Sequence, residues 1–328
     1  MSSADPPTGA HLTQRPRTAR RPFRFGVQVS SAGSGPKWLD LARHIEALGY
    51  STLTMPDHFD AQFAPVPALT AAAMATTHLR VGALVWDNDY KHPLVLAKEL
   101  ATLDVLSQGR LEIGLGAGWM RTDYDQAGIV YDTPKVRVDR FEEGLDVICG
   151  LLSPGPFSYR GVHYTITEHT AHPHPVQQPR PPLLIGGGGP RVLTIAAKRA
   201  EIVGINPSLH TGAIGSAVIG DMTAEQVDAK VEIVRTAAGD RYGDIELNIR
   251  CFMVDVTNDR ATSVAGVAGF TGMTEAQVTE SPFALIGSVA QIIEDLERSR
   301  ERWGFSYVIV GAESLDAMAP VVAALTGR

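Results

Sequence analysis

The chain contains little cysteine and no long apolar run, and these absences exclude several classes of protein. Cys149 and Cys251 are the only cysteines and form no CxxC pair, so neither a disulfide framework nor a cysteine metal site is indicated. Three histidines, His169, His172 and His174, lie in a Pro-rich stretch without a Cys or carboxylate pattern, so no metal site is predicted. No apolar run approaches the roughly 18 residues that span a bilayer.

Positive charge is not in excess either. The net charge of −7 argues against non-specific nucleic-acid binding and offers no basic face to a membrane. Residues 1–21 are rich in Pro, Thr, Ser and Arg, and we predict a disordered tail there. The pair Arg20-Arg21 is reminiscent of a twin-arginine export signal, but no apolar segment of sufficient length follows it. We therefore expect a cytoplasmic protein.

Beyond the tail, short β-rich runs such as Arg24–Val29 alternate with segments of helical periodicity such as Trp38–Gly49. About eight such strand–helix units predict a parallel sheet with helices outside it. Eight units favour a closed (β/α)8 TIM barrel, formed as one domain by residues 22–328, over an open doubly wound sheet. Two insertions interrupt the alternation, a hairpin with a Pro- and His-rich loop at 153–181 and a loop at 207–222.

In such a barrel the active site lies at the carboxyl ends of the strands. The strand Ser51–Met55 ends in Pro56-Asp57-His58-Phe59, which places a carboxylate and an imidazole at the barrel mouth. Histidine titrates near neutral pH and can donate or accept a proton, so His58 and Asp57 are candidate catalytic residues. The alternative is that Asp57 caps a turn and His58 only packs there.

Two further strands are predicted over Leu79–Trp86 and Ile245–Val256. The first runs into Asp87–Pro93, a cluster of charged and aromatic side chains. Such a cluster suits the rim of a site, although a solvated loop has the same composition.

The stretch Gly109–Trp119 combines a strand with three glycines, Gly114, Gly116 and Gly118. Glycine adds nothing to a strand interior, so we interpret the run as a strand that a flat or bulky group approaches, with Trp119 as an aromatic wall. The GxGxG spacing differs from the GxGxxG of dinucleotide-binding folds, and no helix follows directly.

A second glycine run, Gly186–Gly189, precedes Pro190 and Arg191, where a helix is predicted to begin. The free N–H groups of a helix start bind anions, and Arg191 would add a positive charge. No Lys-Ser/Thr follows the glycines, so this is not a P-loop. We expect a phosphate site here, with a plain tight turn as the alternative.

Several of these segments, in this order, resemble the luciferase-like monooxygenases, the (β/α)8 flavin and deazaflavin oxidoreductases named for bacterial luciferase. The matching segments are Pro56–Phe59, Lys98–Asp104, Ser107–Arg110, Gly114–Trp119, Arg137–Ile148, Pro175–Pro179 and Pro182–Arg191. The Asp-His-Phe sequence after the second strand resembles the branch that uses coenzyme F420, a 5-deazaflavin.

The resemblance implies roles for individual residues. It places Asp57 and His58 beside the deazaflavin ring, and a backbone bulge, often a non-proline cis peptide, behind the ring near Leu84-Val85-Trp86. Some relatives carry a glutamate where Trp119 stands, which leaves His58 as the better candidate for proton transfer. The implied cofactor contacts are Asp57, His58, Leu84, Val85, Trp86, Ala117, Gly118, Trp119, Gly186, Gly187, Gly188, Gly189, Pro190 and Arg191.

The implied activity is hydride transfer between C5 of F420 and a small organic substrate, because a 5-deazaflavin passes hydride and reacts poorly with oxygen. With FMN, the same pocket would support monooxygenation. Two alternatives are a non-catalytic flavin- or deazaflavin-binding protein and a barrel enzyme that binds a phosphorylated substrate at Gly186–Gly189. Family members are commonly dimers through helices near the second to fourth strands, so the resemblance implies a homodimer.

Overall fold

The computed structural model describes residues 20–328. Its strands are β1 (Arg24–Gln28), β2 (Thr52–Met55), β3 (Arg80–Ala83), β4 (Trp86–Asp87), β5 (Leu111–Gly116), β6 (Pro156–Arg160), β7 (Thr165–Thr170), β8 (Leu183–Gly187), β9 (Ile202–Ile205), β10 (Glu246–Arg250), β11 (Met253–Val256), β12 (Ala284–Gly287) and β13 (Phe305–Gly311). Its helices are α1 (Gly35–Ala47), α2 (Pro65–Ala75), α3 (Pro93–Leu106), α4 (Arg121–Ala127), α5 (Pro134–Leu152), α6 (Pro190–Arg199), α7 (Ser216–Gly220), α8 (Ala224–Ala238), α9 (Arg260–Thr271), α10 (Glu275–Glu280), α11 (Val289–Trp303) and α12 (Leu315–Leu325).

Eight parallel strands close into a barrel. Their order is β3-β2-β1-β13-β10-β9-β8-β5, and β5 pairs back with β3 through Val81–Leu111 and Gly82–Glu112. Helices connect successive strands and cover the outside of the sheet, since a parallel pair requires a crossover connection. The predicted (β/α)8 TIM barrel is confirmed.

Strand alternation decides which side chains fill the barrel. Arg24 begins β1 and lies inside, with its guanidinium 3.5 Å from the centre of the Tyr307 ring. Glu112 on β5 accepts hydrogen bonds from Arg24 (2.6 Å) and from Arg80 (2.7 Å). These charged groups close the amino end of the barrel. Gln28, four residues after Arg24 on the same face, therefore points into the carboxyl end.

Two predicted strands are each divided in the structure. The predicted strand Leu79–Trp86 is broken between β3 and β4 by a cis peptide bond that joins Leu84 and Val85. The predicted strand Ile245–Val256 changes partner: the Cys251 N–H bonds to β13 of the barrel, whereas the Phe252 N–H bonds to the Phe283 carbonyl. β11 consequently forms a separate two-stranded parallel sheet with β12. Neither break follows from periodicity, because the first is a local backbone conformation and the second depends on which strand lies alongside.

The insertions agree with the prediction in part. β6 and β7 form the expected antiparallel hairpin within 153–181. The segment 207–222 contains the short helix α7 in addition to loop. The predicted disordered tail, residues 1–21, lies outside the described residues except for Arg20, which pairs with Glu301, and Arg21.

Candidate active site

His58 is held at the barrel mouth by a residue that the sequence did not single out. Its Nδ1 atom lies 2.7 Å from Oδ2 of Asp123, which is on α4 and has only 4% of its side chain exposed. The Tyr90 hydroxyl donates to the same oxygen at 2.8 Å. The His58 ring meets the Trp119 ring edge to face, with 5.7 Å between centroids. Since Nδ1 is engaged, Nε2 is the nitrogen left for a ligand.

Asp57 belongs to a buried group of carboxylates. Its Oδ2 accepts a hydrogen bond from the Asp87 N–H at 3.2 Å, and burial raises its pKa. Burial, followed by the negative charges of Asp89 and Asp57, raises the pKa of Asp87 to about 8. Arg140 forms a bidentate ion pair with Asp89, at 2.7 and 2.8 Å. The raised pKa of Asp87 favours its neutral form at pH 7, whereas Arg140 balances the charge of Asp89.

The glycines of β5 make room for the protein itself. A Cβ atom at Gly114 would lie 2.0 Å from the Ala83 carbonyl oxygen, and one at Gly116 would lie 2.5 Å from Cγ2 of Val85. The space beside these glycines is thus occupied by the end of β3 and by Val85, two residues beyond it. The interpretation that these two glycines leave space for a ligand is wrong.

The backbone bulge implied by the resemblance is present, as the cis peptide between Leu84 and Val85. The Leu84 carbonyl accepts a hydrogen bond from Nε2 of Gln28 at 3.0 Å. Leu84 and Val85 pack against Tyr307 and its neighbours inside the barrel. Trp86, in contrast, is 1% exposed and belongs to the hydrophobic core.

Ala117, Gly118 and Trp119, which we predict to line the site, follow β5 directly and are partly exposed. Gly118 has φ of +74°, and a Cβ atom there would lie 1.8 Å from the Tyr124 hydroxyl. Only glycine fits this position, because both the backbone conformation and the space exclude a side chain. Trp119 is thereby turned towards His58.

The second glycine run leads into an uncapped helix start. Gly189 precedes α6 without a side-chain hydrogen bond to the first turn. No atom of residues 20–328 outside its chain neighbours lies within 4 Å of the position of its Cβ atom. A Cβ atom at Gly188, in contrast, would lie 2.5 Å from the Asn206 carbonyl oxygen. Pro190 has no N–H, so the following amides are the free donors. The arrangement suits an anion.

Arg191 is already paired. Its guanidinium lies 2.6 Å from Asp139 and also contacts Glu142, both on α5. The arginine side chain that was expected to bind phosphate thus belongs to an ion-pair cluster at the surface. Arg191 would contact a ligand at the start of α6 through its backbone N–H group.

Sequence reasoning located the rim but missed the partner of His58. Asp87, Asp89 and Tyr90, from the predicted rim segment, all enter the site. Asp123 went unrecognised because it is one of several aspartates in the polar segment after Trp119, and no spacing distinguishes it. Its contact with His58 joins residues 65 positions apart.

The described part of the chain contains neither a candidate metal centre nor a candidate membrane span. Among residues 20–328, no group of three or more His, Cys, Asp or Glu side chains is arranged to hold a metal ion. In the same range, no helix combines the length and apolar character needed to cross a membrane.

The sequence model of the luciferase-like monooxygenase family matches residues 19–239. An F420-dependent glucose-6-phosphate dehydrogenase of Microbacterium testaceum (strain StLB037) is 28% identical over 230 residues, which are 65% of this chain and 68% of that protein. An FMNH(2)-dependent dimethylsulfone monooxygenase of Pseudomonas putida is 25% identical over 195 residues, 60% of this chain and 50% of that protein. The matches thus span only half to about two thirds of these relatives.

A solved structure has the same fold. The coenzyme F420 dependent tetrahydromethanopterin reductase of Methanopyrus kandleri superposes with a TM-score of 0.74 at 20% identity, covering 93% of this chain and all of that one (100%). At this identity the likeness shows the fold alone. The sequence match to the family covers well over half of the chain. The chain belongs to the luciferase-like monooxygenase family.

Proposed function

We propose that the chain is an F420-dependent oxidoreductase that transfers hydride between the deazaflavin C5 and a small organic substrate. The observation that carries the proposal is His58 at the barrel mouth, with Nδ1 bound to the buried carboxylate of Asp123. A fixed imidazole with a free Nε2 is suited to exchange the proton that accompanies hydride transfer. The F420-dependent relative supports the same cofactor class.

The residues at the mouth fit a phosphate-bearing flavin or deazaflavin. The uncapped start of α6 offers the N–H groups of Arg191 and Val192 to the phosphate. The bulge at Leu84-Val85 offers a rigid apolar surface for the ring. It is held in place because Gln28 donates a hydrogen bond to the Leu84 carbonyl and Val85 packs against β5 at Gly116. When bound, a deazaflavin would supply hydride transfer with little reaction with oxygen.

The chain's own residues then have separate tasks. Asp123 fixes the His58 ring and stabilises its positive charge when Nε2 carries a proton. Tyr90 keeps the Asp123 carboxylate in place through the 2.8 Å hydrogen bond. Trp119 packs edge to face against the imidazole and helps to fix its orientation. Asp87, neutral at pH 7, adds no charge that would compete with Asp123 for the imidazole.

An FMN-dependent monooxygenase is the second candidate. The dimethylsulfone monooxygenase is nearly as similar as the F420-dependent relative, and the α6 start would accept the phosphate of either cofactor. Titration of the purified protein with F420 and with FMN, followed by fluorescence and visible absorption, separates the two. We expect F420 to bind more tightly by about tenfold or more, equivalent to about 1.4 kcal/mol. Tighter binding of FMN would refute the F420 assignment.

Turnover is tested with reduced F420 and a panel of carbonyl and enone compounds. We expect oxidation of the cofactor with at least one of them, and a loss of about a hundredfold in kcat in His58→Ala. His78→Ala, a change at an exposed histidine outside the site, is the matched control and should retain full activity. Tight cofactor binding with no turnover, unchanged by His58→Ala, would identify a binding protein instead.

We also propose that the chain forms a homodimer through α2 and α3. These neighbouring helices expose Met74 (65%), Val95 (47%) and Leu106 (44%), which suits a face covered by a second copy. Val95→Glu should shift the sedimentation coefficient from dimer to monomer. Val162→Glu, on the exposed tip of the β6–β7 hairpin, should leave the dimer intact, and a monomeric wild-type protein would refute the proposal.

A further inference from the structure

A second positive group lies in the barrel mouth and takes no part in the His58 arrangement. Arg250 is the last residue of β10, two residues beyond Asn248 and four beyond Glu246, which pairs with Arg24 inside the barrel. Since alternate residues of a strand share a face, Arg250 points into the carboxyl end. Its Nε donates to Oε1 of Gln28 at 2.8 Å, which confirms that orientation.

The Arg250 guanidinium has no carboxylate partner among residues 20–328. Its Nη1 donates to the Cys251 backbone carbonyl, and no other described residue accepts a hydrogen bond from Nη2. Glu313 attracts it electrostatically but is not within ion-pair distance. Most arginines in the described chain, such as Arg24, Arg140 and Arg191, are matched with acids. A half-buried guanidinium that faces no anion lacks the opposite charge that would offset its lost solvation, so it is suited to receive one.

Two neighbours fix this cation and give it an apolar side. Gln28 uses its carbonyl for Arg250 and its amide for the Leu84 carbonyl, so it links the guanidinium to the bulge at the end of β3. Phe252 lies beside the guanidinium, 4.8 Å from its carbon to the ring centre, and is 44% exposed. A cationic group beside an exposed aromatic ring is the pattern of a site for an amphipathic organic acid.

We infer that Arg250 binds the anionic oxygens of the substrate, a carboxylate or a phosphate ester, while Phe252 contacts its apolar part. The inference rests on the proposed oxidoreductase function and narrows the substrate class. The site is separate from the predicted phosphate cradle, because that cradle follows β8 whereas Arg250 ends β10, two strands further around the barrel. Gln28 acts as a positioning residue, because its hydrogen bond to Nε keeps the Arg250 guanidinium directed towards the mouth.

The test uses the protein loaded with whichever of F420 and FMN it binds, so that the α6 start is filled. Benzoate, its neutral isostere benzamide and inorganic phosphate are titrated by calorimetry into the wild type, Arg250→Met and Arg250→Lys. Arg121→Met is the matched control, because Arg121 is an exposed arginine near the mouth that pairs with Asp125. Cofactor affinity is measured for every variant by fluorescence, and folding by circular dichroism.

We expect wild-type protein to bind benzoate or phosphate at least about tenfold more tightly than benzamide. Arg250→Met should lose this preference with cofactor affinity unchanged, Arg250→Lys should retain part of it, and Arg121→Met all of it. Preference for benzoate indicates a carboxylate substrate, and preference for phosphate a phosphate ester.

Three results would overturn the inference. The first is equal anion binding by the wild type and Arg250→Met. The second is no anion binding by the loaded wild type. The third is a loss of cofactor affinity alone in Arg250→Met, which would assign the arginine to the cofactor. If neither cofactor binds, the proposed function fails, and the comparison of benzoate with benzamide on the unloaded protein still tests Arg250.

Discussion

The contact between Gly116 and Val85 allows a double-mutant test of what occupies the space beside β5. In Gly116→Ala, the added methyl group would lie 2.5 Å from Cγ2 of Val85. Ordinary carbon–carbon contacts are about 3.5–4.0 Å. One of the two groups must therefore move by more than an ångström, and Val85 is packed inside the barrel. We expect Gly116→Ala to lower the free energy of unfolding by about 1–3 kcal/mol.

Val85→Ala removes the methyl groups that cause this clash. Alone it should cost about 1–2 kcal/mol in lost apolar burial. In combination, the two substitutions should cost less than the sum of the single ones, with a favourable coupling of about 1–2 kcal/mol. Equilibrium urea unfolding, followed by tryptophan fluorescence, gives all three values.

Gly114→Ala is the matched control. Its methyl group would lie 2.0 Å from the Ala83 carbonyl oxygen, which belongs to the backbone and cannot be trimmed. It should cost more than Gly116→Ala and remain nearly additive with Val85→Ala. Additivity of Gly116→Ala with Val85→Ala would refute the conclusion that Val85 fills the space, and would restore the interpretation that a ligand uses it.

Three further predictions concern charged groups. Asp123→Asn keeps the shape of the side chain beside His58 but removes its charge. We expect kcat to fall about a hundredfold and the pH profile of kcat to shift, with unchanged cofactor affinity. An unaltered pH profile would show that Asp123 is only structural. The raised pKa of Asp87 means that its stabilising contribution is complete below about pH 4 and is lost as the pH rises towards about 8. Urea unfolding of Asp87→Asn across this range should lack that slope, and an equal slope in both proteins would contradict the assignment. Arg24 and Arg80 hold the pKa of Glu112 below its usual range despite burial, so its contribution is present above about pH 4.3 and is lost as the pH falls through the folded-state pKa. Glu112→Gln should therefore cost about 3–5 kcal/mol at neutral pH and much less in acid, whereas a pH-independent cost would point to packing alone.

Much of the fold was predictable because its signals are local. Helical periodicity, closing glycines and short β-branched runs follow from the backbone geometry of neighbouring residues. The strand predicted over Arg24–Val29 is β1 (Arg24–Gln28), and α6 begins at Pro190, where a helix start was predicted. Where the partner of a strand matters, prediction failed: the segment Ile245–Val256 has one continuous β pattern but serves two sheets. The change occurs at Cys251 and Phe252, whose N–H groups face different neighbours.

The sequence by itself determined that strands and helices alternate, that the barrel mouth carries Asp57 and His58, and that a glycine-rich turn opens a helix. Only the tertiary structure decided that Asp123 holds His58 and that Gln28 holds Arg250 across 222 positions. It also decided that Val85, rather than a ligand, fills the space beside Gly116. The physical reason is that residue type and spacing constrain only near neighbours along the chain. Contacts between distant side chains depend on the register at which the eight strands close.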